Sequence, residues 1–191
     1  YRSWQQPGVI ALALGAVFTG LGLLAVMKLV GSGHSVKGAV RWIGVGGVGV
    51  QPSEFAKLAV ILFVADRLSR HLDRTNDLRT VLVPIAAVIG GLALLILYQP
   101  DLGTTVSIAI VAGTMLFAGG IHLRFLGGTI ALALPVLYYL VWNVPYRRAR
   151  VTAFLDPWAD PLNTGFQIIQ SLIAVGTGGI VGRGLMEGLQ K

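Results

Sequence analysis

Four stretches of this chain carry no charged residue, and each is long enough to cross a lipid bilayer as a helix. They cover residues 3–27, 80–100, 102–123 and 125–146. A membrane-spanning helix needs roughly 20 predominantly apolar residues. The pattern therefore predicts a polytopic membrane protein. An ionisable group at the bilayer centre costs roughly 2.5–3.5 kcal/mol on insertion scales, so each one left near a span needs a physical reason.

The predicted fold class is all-α, a polytopic membrane helix bundle with five transmembrane helices and one large loop. The spans are assigned to residues 7–30, 52–70, 80–98, 102–119 and 125–144. The second helix is expected to start at Pro52, which suits a first helical turn and places Glu54 near the positive end of the helix dipole. Its uncharged stretch is short, and it is counted as a span because of the number of crossings that its neighbours need. We interpret residues 1–191 as a single membrane domain, part of a longer protein, and 145–191 as the loop.

Composition agrees with a membrane protein: 54% of residues are hydrophobic, 12% are charged, and the mean hydropathy is +0.75. The net charge of +7 could suggest nucleic acid binding. However, the Lys and Arg residues lie in loops between spans, where they set topology and meet anionic lipid, so we expect no nucleic acid partner. The absence of cysteine excludes disulfides and thiolate metal sites.

The distribution of Lys and Arg between short loops predicts the orientation, since these residues are enriched on the cytoplasmic side. With five spans, one side carries Arg2, Arg67, Arg70, Arg74, Arg79 and Arg124. The opposite short loops carry only Lys37 and Arg41. The first side is therefore predicted to be cytoplasmic. Residues 31–51, the turn at 99–101 and the segment from Val144 onward then lie on the extracytoplasmic face, where the polar groups converge.

A glycine-rich segment between the first two spans matches the G-x-G-x-x-G pattern through Gly44, Gly46 and Gly49. That pattern binds a dinucleotide only within a βαβ unit. Here membrane helices flank it, so we reject nucleotide binding and expect a flexible or hairpin-like loop.

Two short motifs place polar residues at predicted helix starts. Glu54 and Lys57, in Gln-Pro-Ser-Glu-Phe-Ala-Lys, lie three apart on one helical face and can pair. They are either a dipole-stabilised Glu with a snorkelling Lys, or a pair that orients other groups from inside the bundle. Asp101, in Gln-Pro-Asp-Leu-Gly-Thr, is either the N-cap of the fourth span or a functional acid.

The segment Asp-Pro-Trp-Ala-Asp-Pro carries two carboxylates, Asp156 and Asp160. Because each precedes a proline, which disfavours helical geometry, a shared helical face cannot be assumed. Turn formation explains both residues. The alternative is a site for a substrate with a hydroxyl to deprotonate and a phosphate to hold, since arginines 147, 148 and 150 lie nearby in sequence.

Read together, several segments resemble the SEDS family of shape, elongation, division and sporulation membrane proteins. The matching pieces are Gly38-Ala-Val-Arg-Trp-Ile, the Gln51 and Gln99 motifs, Phe154-Leu-Asp-Pro-Trp-Ala-Asp-Pro-Leu, Gly165-Phe-Gln-Ile-Ile-Gln-Ser-Leu-Ile-Ala and Gly178-Gly-Ile-Val-Gly-Arg-Gly-Leu. The Trp-Ala-Asp-Pro and Gln-Ser-Leu pieces are more similar to the FtsW branch than to the RodA branch. Asn163 and Thr164 stand where the family more often has Gly-Ser.

The resemblance implies a ten-helix peptidoglycan glycosyltransferase that polymerises lipid II into glycan strands, in division or elongation, on the outer face of the bacterial cytoplasmic membrane. This chain would hold its third to seventh helices and most of the large loop. Asp160 matches the family's catalytic aspartate, and Glu54 and Lys57 match functional residues. Supporting residues would be Asp101, Asp156, Gln167 and Gln170.

In this hypothesis Asp160 is the general base that takes the proton of the acceptor hydroxyl. The arginines expected to bind the departing pyrophosphate are Arg41, Arg147, Arg148 and Arg150. No cofactor is assigned apart from a candidate divalent cation, Mg or Mn, and no protein metal cluster stands out. Implied partners are lipid II, undecaprenyl-linked glycan, a class B penicillin-binding protein and divisome or elongasome proteins. Two alternatives are a lipid II transporter and a non-catalytic scaffold that recruits a transpeptidase.

Overall fold

The structure is a computed structural model, and it describes residues 6–31, 42–45, 48–179, 181–184 and 187–188. Its α-helices are α1 (Pro7–Val30), α2 (Pro52–Arg70), α3 (Val83–Tyr98), α4 (Leu102–Ala118), α5 (Leu123–Trp142), α6 (Pro145–Leu155) and α7 (Phe166–Gly178). The strands are β1 (Ile43–Val45) and β2 (Val48–Val50). The predicted helical fold class is confirmed. The chain divides into two compact units, residues 1–127 and 128–191.

In the first unit, α2 packs against α1, α3 and α4. Most side chains in the core between these helices are aliphatic or small, among them Leu21, Ala56, Val60, Ile96 and Ala112. In a bilayer such helices associate through close packing, because lipid tails are as apolar as leucine. Glycines allow such close packing here: a Cβ on Gly20 would lie 3.2 Å from the Pro52 side chain, and one on Gly91 would lie 3.3 Å from the Phe18 ring.

The glycine-rich segment forms a β-hairpin. β1 and β2 are antiparallel, with Ile43 opposite Val50. Gly49 lies under the Trp42 ring, where an added Cβ would meet the ring at 3.0 Å. This pairing agrees with the hairpin-like loop expected from the sequence; residues 32–41, Gly46 and residue 47 of the glycine-rich segment lie outside the described residues.

At the other end of the first unit, the α2–α3 and α4–α5 connections are joined. The Asn76 side chain donates to the carbonyl of Gly120 at 3.4 Å and accepts the His122 backbone N–H at 2.7 Å. Asp77 caps a π-helical turn, Leu78–Leu82, that leads directly into α3. The helical segment thus begins two residues before the predicted residue 80, because the Asp77 carboxylate supplies an N-cap there.

Three helical segments have the length and apolar composition needed to cross a membrane: Pro7–Val30, Leu78–Tyr98 and Leu123–Trp142. α4 is apolar but has 17 residues, and α2 carries Glu54 and Lys57 in its first two turns. The crossing of the membrane by α2 and α4 stays a prediction.

In the second unit, residues 145–178 hold more regular structure than the predicted loop. α6 begins at Pro145, in the first helical turn where proline is favoured, and ends before Asp156. A single 3-10 turn, Pro157–Ala159, follows, and it packs against both α6 and α7. α7 then begins after Gly165. The two prolines of the Asp-Pro pairs break the helical repeat and so separate the two helices.

Candidate functional site

The Asp160 carboxylate lies in the turn between the 3-10 turn and α7, where it accepts three hydrogen bonds. One oxygen, Oδ2, accepts the backbone N–H of Thr164 at 3.3 Å and its hydroxyl at 3.1 Å. The other, Oδ1, accepts the Asn163 side-chain amide at 3.0 Å. The carboxylate is partly exposed and thus accessible to solvent.

These donors determine the charge of Asp160. The backbone hydrogen bond from Thr164, followed by the side-chain bond from Asn163, lowers the pKa of Asp160 below its ordinary value of 3.8. Hydrogen bonds to the ionised form of a carboxyl favour that form. The side chain is therefore a carboxylate at neutral pH, able to accept a further hydrogen bond or a proton.

Gly165 closes this turn from the opposite side. Its backbone N–H donates to the Asp160 carbonyl at 2.9 Å. A Cβ at this position would lie 2.0 Å from the Pro157 carbonyl oxygen, which is far inside contact distance. Only glycine fits here, so the segment from Pro157 to Gly165 is a compact turn and not an open loop.

Asp156 has a capping role. Its carboxylate accepts the backbone N–H of Trp158 at 3.1 Å and so starts the 3-10 turn. The turn-forming interpretation of this residue is therefore confirmed. Gln167 and Gln170 follow on α7, where Gln167 is exposed and Gln170 is partly buried.

The three arginines of the segment all lie on α6. Arg147 donates to the Leu140 carbonyl at 2.9 Å, and the Arg150 guanidinium lies 4.7 Å from the centre of the Tyr146 ring. Arg148 is exposed. Within the described part of the second unit, no ion pair joins these side chains to Asp156 or Asp160. Arg41, the fourth arginine predicted from the sequence, lies outside the described residues.

A second polar cluster lies in the first unit, at the N-termini of α2 and α4. Asp101 caps α4 by accepting the Thr104 backbone N–H at 3.2 Å and the Thr104 hydroxyl at 2.8 Å. The Gln51 side-chain amide donates to Ser53 at 2.8 Å and to Asp101 Oδ2 at 3.4 Å. The two sequence motifs are therefore in contact, and the N-cap interpretation of Asp101 is confirmed.

The predicted pair of Glu54 and Lys57 is formed, with 2.7 Å between carboxylate and ammonium. Both side chains are partly accessible, at 54% and 33% of their surface. The exposed apolar side chains of Phe55 and Leu58 border the same shallow depression. Whether this pair also orients other groups stays a prediction.

Sequence reasoning missed three contributors to these clusters, Gln51, Asn163 and Thr164, and the separate contact of Gln99. Gln99 is buried and donates to the Leu21 carbonyl at 3.3 Å, which links α3 to α1. All four lie inside motifs that the sequence already singled out. The signal was therefore present, but the motifs gave no indication of which partner each amide or hydroxyl would find.

Among the residues that the structure describes, no three His, Asp or Glu side chains come together in a way that could hold a metal ion. The carboxylates of the turn are engaged by backbone, amide and hydroxyl donors instead. The binding of Mg or Mn stays a prediction.

Comparison with known proteins gives three related results. Residues 7–191 match the model of the FtsW/RodA/SpoVE family, described as cell cycle proteins. Proteins named probable peptidoglycan glycosyltransferase FtsW from Geobacter metallireducens and Legionella pneumophila are 44% and 41% identical, over 100% and 98% of this chain. The aligned region is 50% and 46% of those proteins, so the chain spans about half their length.

A solved structure is also similar, from work on the structural coordination of polymerization and crosslinking by a peptidoglycan synthase complex. The TM-score is 0.67 at 33% identity, and the match covers 94% of this chain and 51% of that one. The family model, the relatives and the fold agree along almost the whole sequence. The chain therefore belongs to the FtsW/RodA/SpoVE family of cell cycle proteins, as its resemblance to the SEDS proteins implied.

Proposed function

We propose that the intact protein is a peptidoglycan glycosyltransferase that polymerises lipid II into glycan strands at the outer face of the bacterial cytoplasmic membrane. The observation that carries the proposal is the ionised, partly exposed Asp160 carboxylate, held in a compact turn outside the long apolar helices. The names of the relatives support the reaction class. Those helices and family membership support a membrane location.

In the proposed reaction, the 4-hydroxyl of an acceptor lipid II attacks the anomeric carbon of the growing glycan. A new carbon–oxygen bond forms with inversion, the bond to the lipid pyrophosphate breaks, and the hydroxyl proton passes to Asp160. A positioned general base typically contributes 10²- to 10⁴-fold to such a step. An ionised carboxylate meets the first requirement of this role, since it can accept the proton.

The leaving pyrophosphate gains negative charge and needs cationic stabilisation. Arg148 is our first choice among the α6 arginines. Arg147 already donates to a backbone carbonyl, and Arg150 lies over the Tyr146 ring. The Arg148 guanidinium forms no ion pair or hydrogen bond within the described residues, so all of its N–H donors are available for phosphate oxygens.

The similar peptidoglycan synthase complex supports the expectation of a partner synthase protein. We propose a class B penicillin-binding protein, whose transpeptidase activity would cross-link the strands as they form, within a divisome or an elongasome. The extracytoplasmic placement of residues 145–191 belongs to the same proposal, because polymerisation at the outer face of the membrane requires Asp160 to lie on that face.

The test uses the intact protein, purified with its transpeptidase partner and given labelled lipid II. We expect long glycan strands from the wild type and none from Asp160→Asn, with equal expression and elution of the two proteins. Asp73→Asn is the control, since Asp73 is an exposed carboxylate of the α2–α3 connection.

Three results would contradict the proposal. If Asp160→Asn polymerises lipid II as fast as the wild type does, Asp160 is not the general base. Translocation of the lipid II headgroup without polymer would favour the transporter, and neither polymer nor translocation would favour the scaffold.

A further inference from the structure

We infer that Asn163 and Thr164 are positioning residues that hold the Asp160 carboxylate so that one of its oxygens, the one bonded to Asn163, stays open as the proton acceptor. This inference rests on the proposed glycosyltransferase function. It identifies the accepting atom and the two side chains that present it.

The hydrogen-bond donors are distributed unequally between the two carboxylate oxygens of Asp160. Each carboxylate oxygen has two acceptor sites. Oδ2 has both filled, by the Thr164 N–H and hydroxyl at 3.3 and 3.1 Å. Among the described residues, Oδ1 accepts one hydrogen bond, from the Asn163 side-chain amide at 3.0 Å. A substrate hydroxyl can therefore approach Oδ1 without displacing a protein donor.

The backbone that carries these donors is itself held in place. Gly165, next to Thr164, donates to the Asp160 carbonyl at 2.9 Å and lies against the Pro157 carbonyl. The Ile169 N–H bonds back to Gly165 at 3.0 Å, which attaches the turn to the start of α7. The backbone at residues 163–165 is thus fixed at both ends. A catalytic group that is already fixed in this way loses little conformational entropy when the substrate binds.

No charged side chain of α6 or α7 pairs with Asp160. α6 packs on the 3-10 turn and carries Arg147, Arg148 and Arg150, yet none forms an ion pair with the carboxylate. α7 carries no charged side chain, and Asp156 bonds to Trp158 at the far end of the turn. The charge state of Asp160 therefore depends on its local donors, and its pKa is lowered by Thr164 and Asn163.

A specific kinetic consequence follows. A general base works only when it is deprotonated, so activity falls as the pH drops through its pKa. Removing a donor from Asn163 or Thr164 raises that pKa, and the fall in activity must then begin at a higher pH. The same change loosens the carboxylate, which lowers kcat more than it changes KM.

The experiment measures kcat and KM for lipid II polymerisation across a range of pH, with the intact protein and its partner. Asn163→Leu and Thr164→Val each remove one side-chain donor at nearly constant volume, and Thr164→Ser restores the hydroxyl. Thr177→Val is the matched control, because within the described part of the chain the Thr177 hydroxyl bonds to backbone carbonyls of α7, those of Ile173 and Ala174.

We expect Asn163→Leu and Thr164→Val to lower kcat by about tenfold, consistent with misplacement of a catalytic group. The acidic limb of the pH profile should move to higher pH, and Thr164→Ser and Thr177→Val should behave as the wild type. This inference alone would be overturned if Asp160→Asn is inactive while Asn163→Leu and Thr164→Val keep the wild-type kcat. It would also be overturned if Asp160→Asn is inactive and the acidic limb of those two variants does not move. An active Asp160→Asn would overturn the proposed function, and this inference with it.

Discussion

The side-chain amide of Gln51 donates to the carboxylate of Asp101, with 3.4 Å between Nε2 and Oδ2. The two residues are 50 positions apart, one preceding α2 and the other capping α4. This contact brings two helix N-termini together. Negative charge is favoured near such a terminus because the dipole there is positive.

The first prediction concerns this contact. Gln51→Ala should lower the free energy of unfolding of the intact protein by about 1 kcal/mol, a typical net value for one hydrogen bond. The measurement is denaturant unfolding in detergent, combined in a double-mutant cycle with Asp101→Ala. Additive effects of the two substitutions would contradict an interaction between them. Ser69→Ala is the control, because the Ser69 hydroxyl bonds only within α2.

The second prediction separates capping from charge at Asp101. Asp101→Ala removes the N-cap of α4 and should lower the free energy of unfolding by about 1 to 2 kcal/mol. Asp101→Asn keeps a capping oxygen and should restore most of this loss. Equal destabilisation by both variants would show that the negative charge matters more than the cap.

The third prediction concerns the tight turn around Asp160. Gly165→Ala places a Cβ 2.0 Å from the Pro157 carbonyl, so the turn must open. We expect polymerisation to fall by at least about tenfold, because the carboxylate loses its position, and protease cleavage between residues 156 and 165 to increase. Gly176→Ala is the matched control, since a Cβ there meets nothing within 4 Å. Full activity of Gly165→Ala would contradict the compact turn.

The fourth prediction concerns pH. The folded pKa of Asp160 lies below its ordinary value of 3.8, through its Thr164 and Asn163 hydrogen bonds, so its contribution to stability is present above 3.8 and is lost as pH falls through the folded pKa. Hydrogen exchange of the Thr164 amide should therefore stay slow down to this range and then accelerate. In Asp160→Asn this acid-dependent step should be absent. Loss of protection near neutral pH would contradict the assignment.

The fifth prediction ranks the arginines of α6. Arg148→Ala should lower kcat/KM for lipid II by about tenfold or more, since it removes a cation from the departing pyrophosphate. Arg150→Ala should have a smaller effect, because that guanidinium already lies over Tyr146. Steady-state polymerisation of the two variants provides the comparison, and a larger loss for Arg150 would reverse the ranking.

Contacts within one helical turn were predictable from the sequence. The start of α2 at Pro52 follows from the preference of proline for the first helical turn. The pairing of Glu54 with Lys57 and the capping by Asp101 follow from spacings of three residues. The helical repeat fixes these distances wherever the helix lies. Residues 156–165 do not follow the helical repeat, because the prolines in this segment interrupt the helix. The three hydrogen bonds that Asp160 accepts from Asn163 and Thr164 were therefore not predictable, although these residues lie only three and four positions away in the sequence.

The sequence by itself determined that this is a helical membrane protein, where α1 to α5 lie and which motifs carry its polar side chains, because hydrophobic length and capping are local properties. The residues of α6 and α7 were predicted as part of a loop. Only the tertiary structure decided that Gln51 bonds to Asp101, that Gln99 reaches the Leu21 carbonyl 78 residues away, and that Asn76 bonds to Gly120 and His122. These partners depend on how the helices pack, since helix packing brings side chains into reach that the sequence separates by dozens of residues.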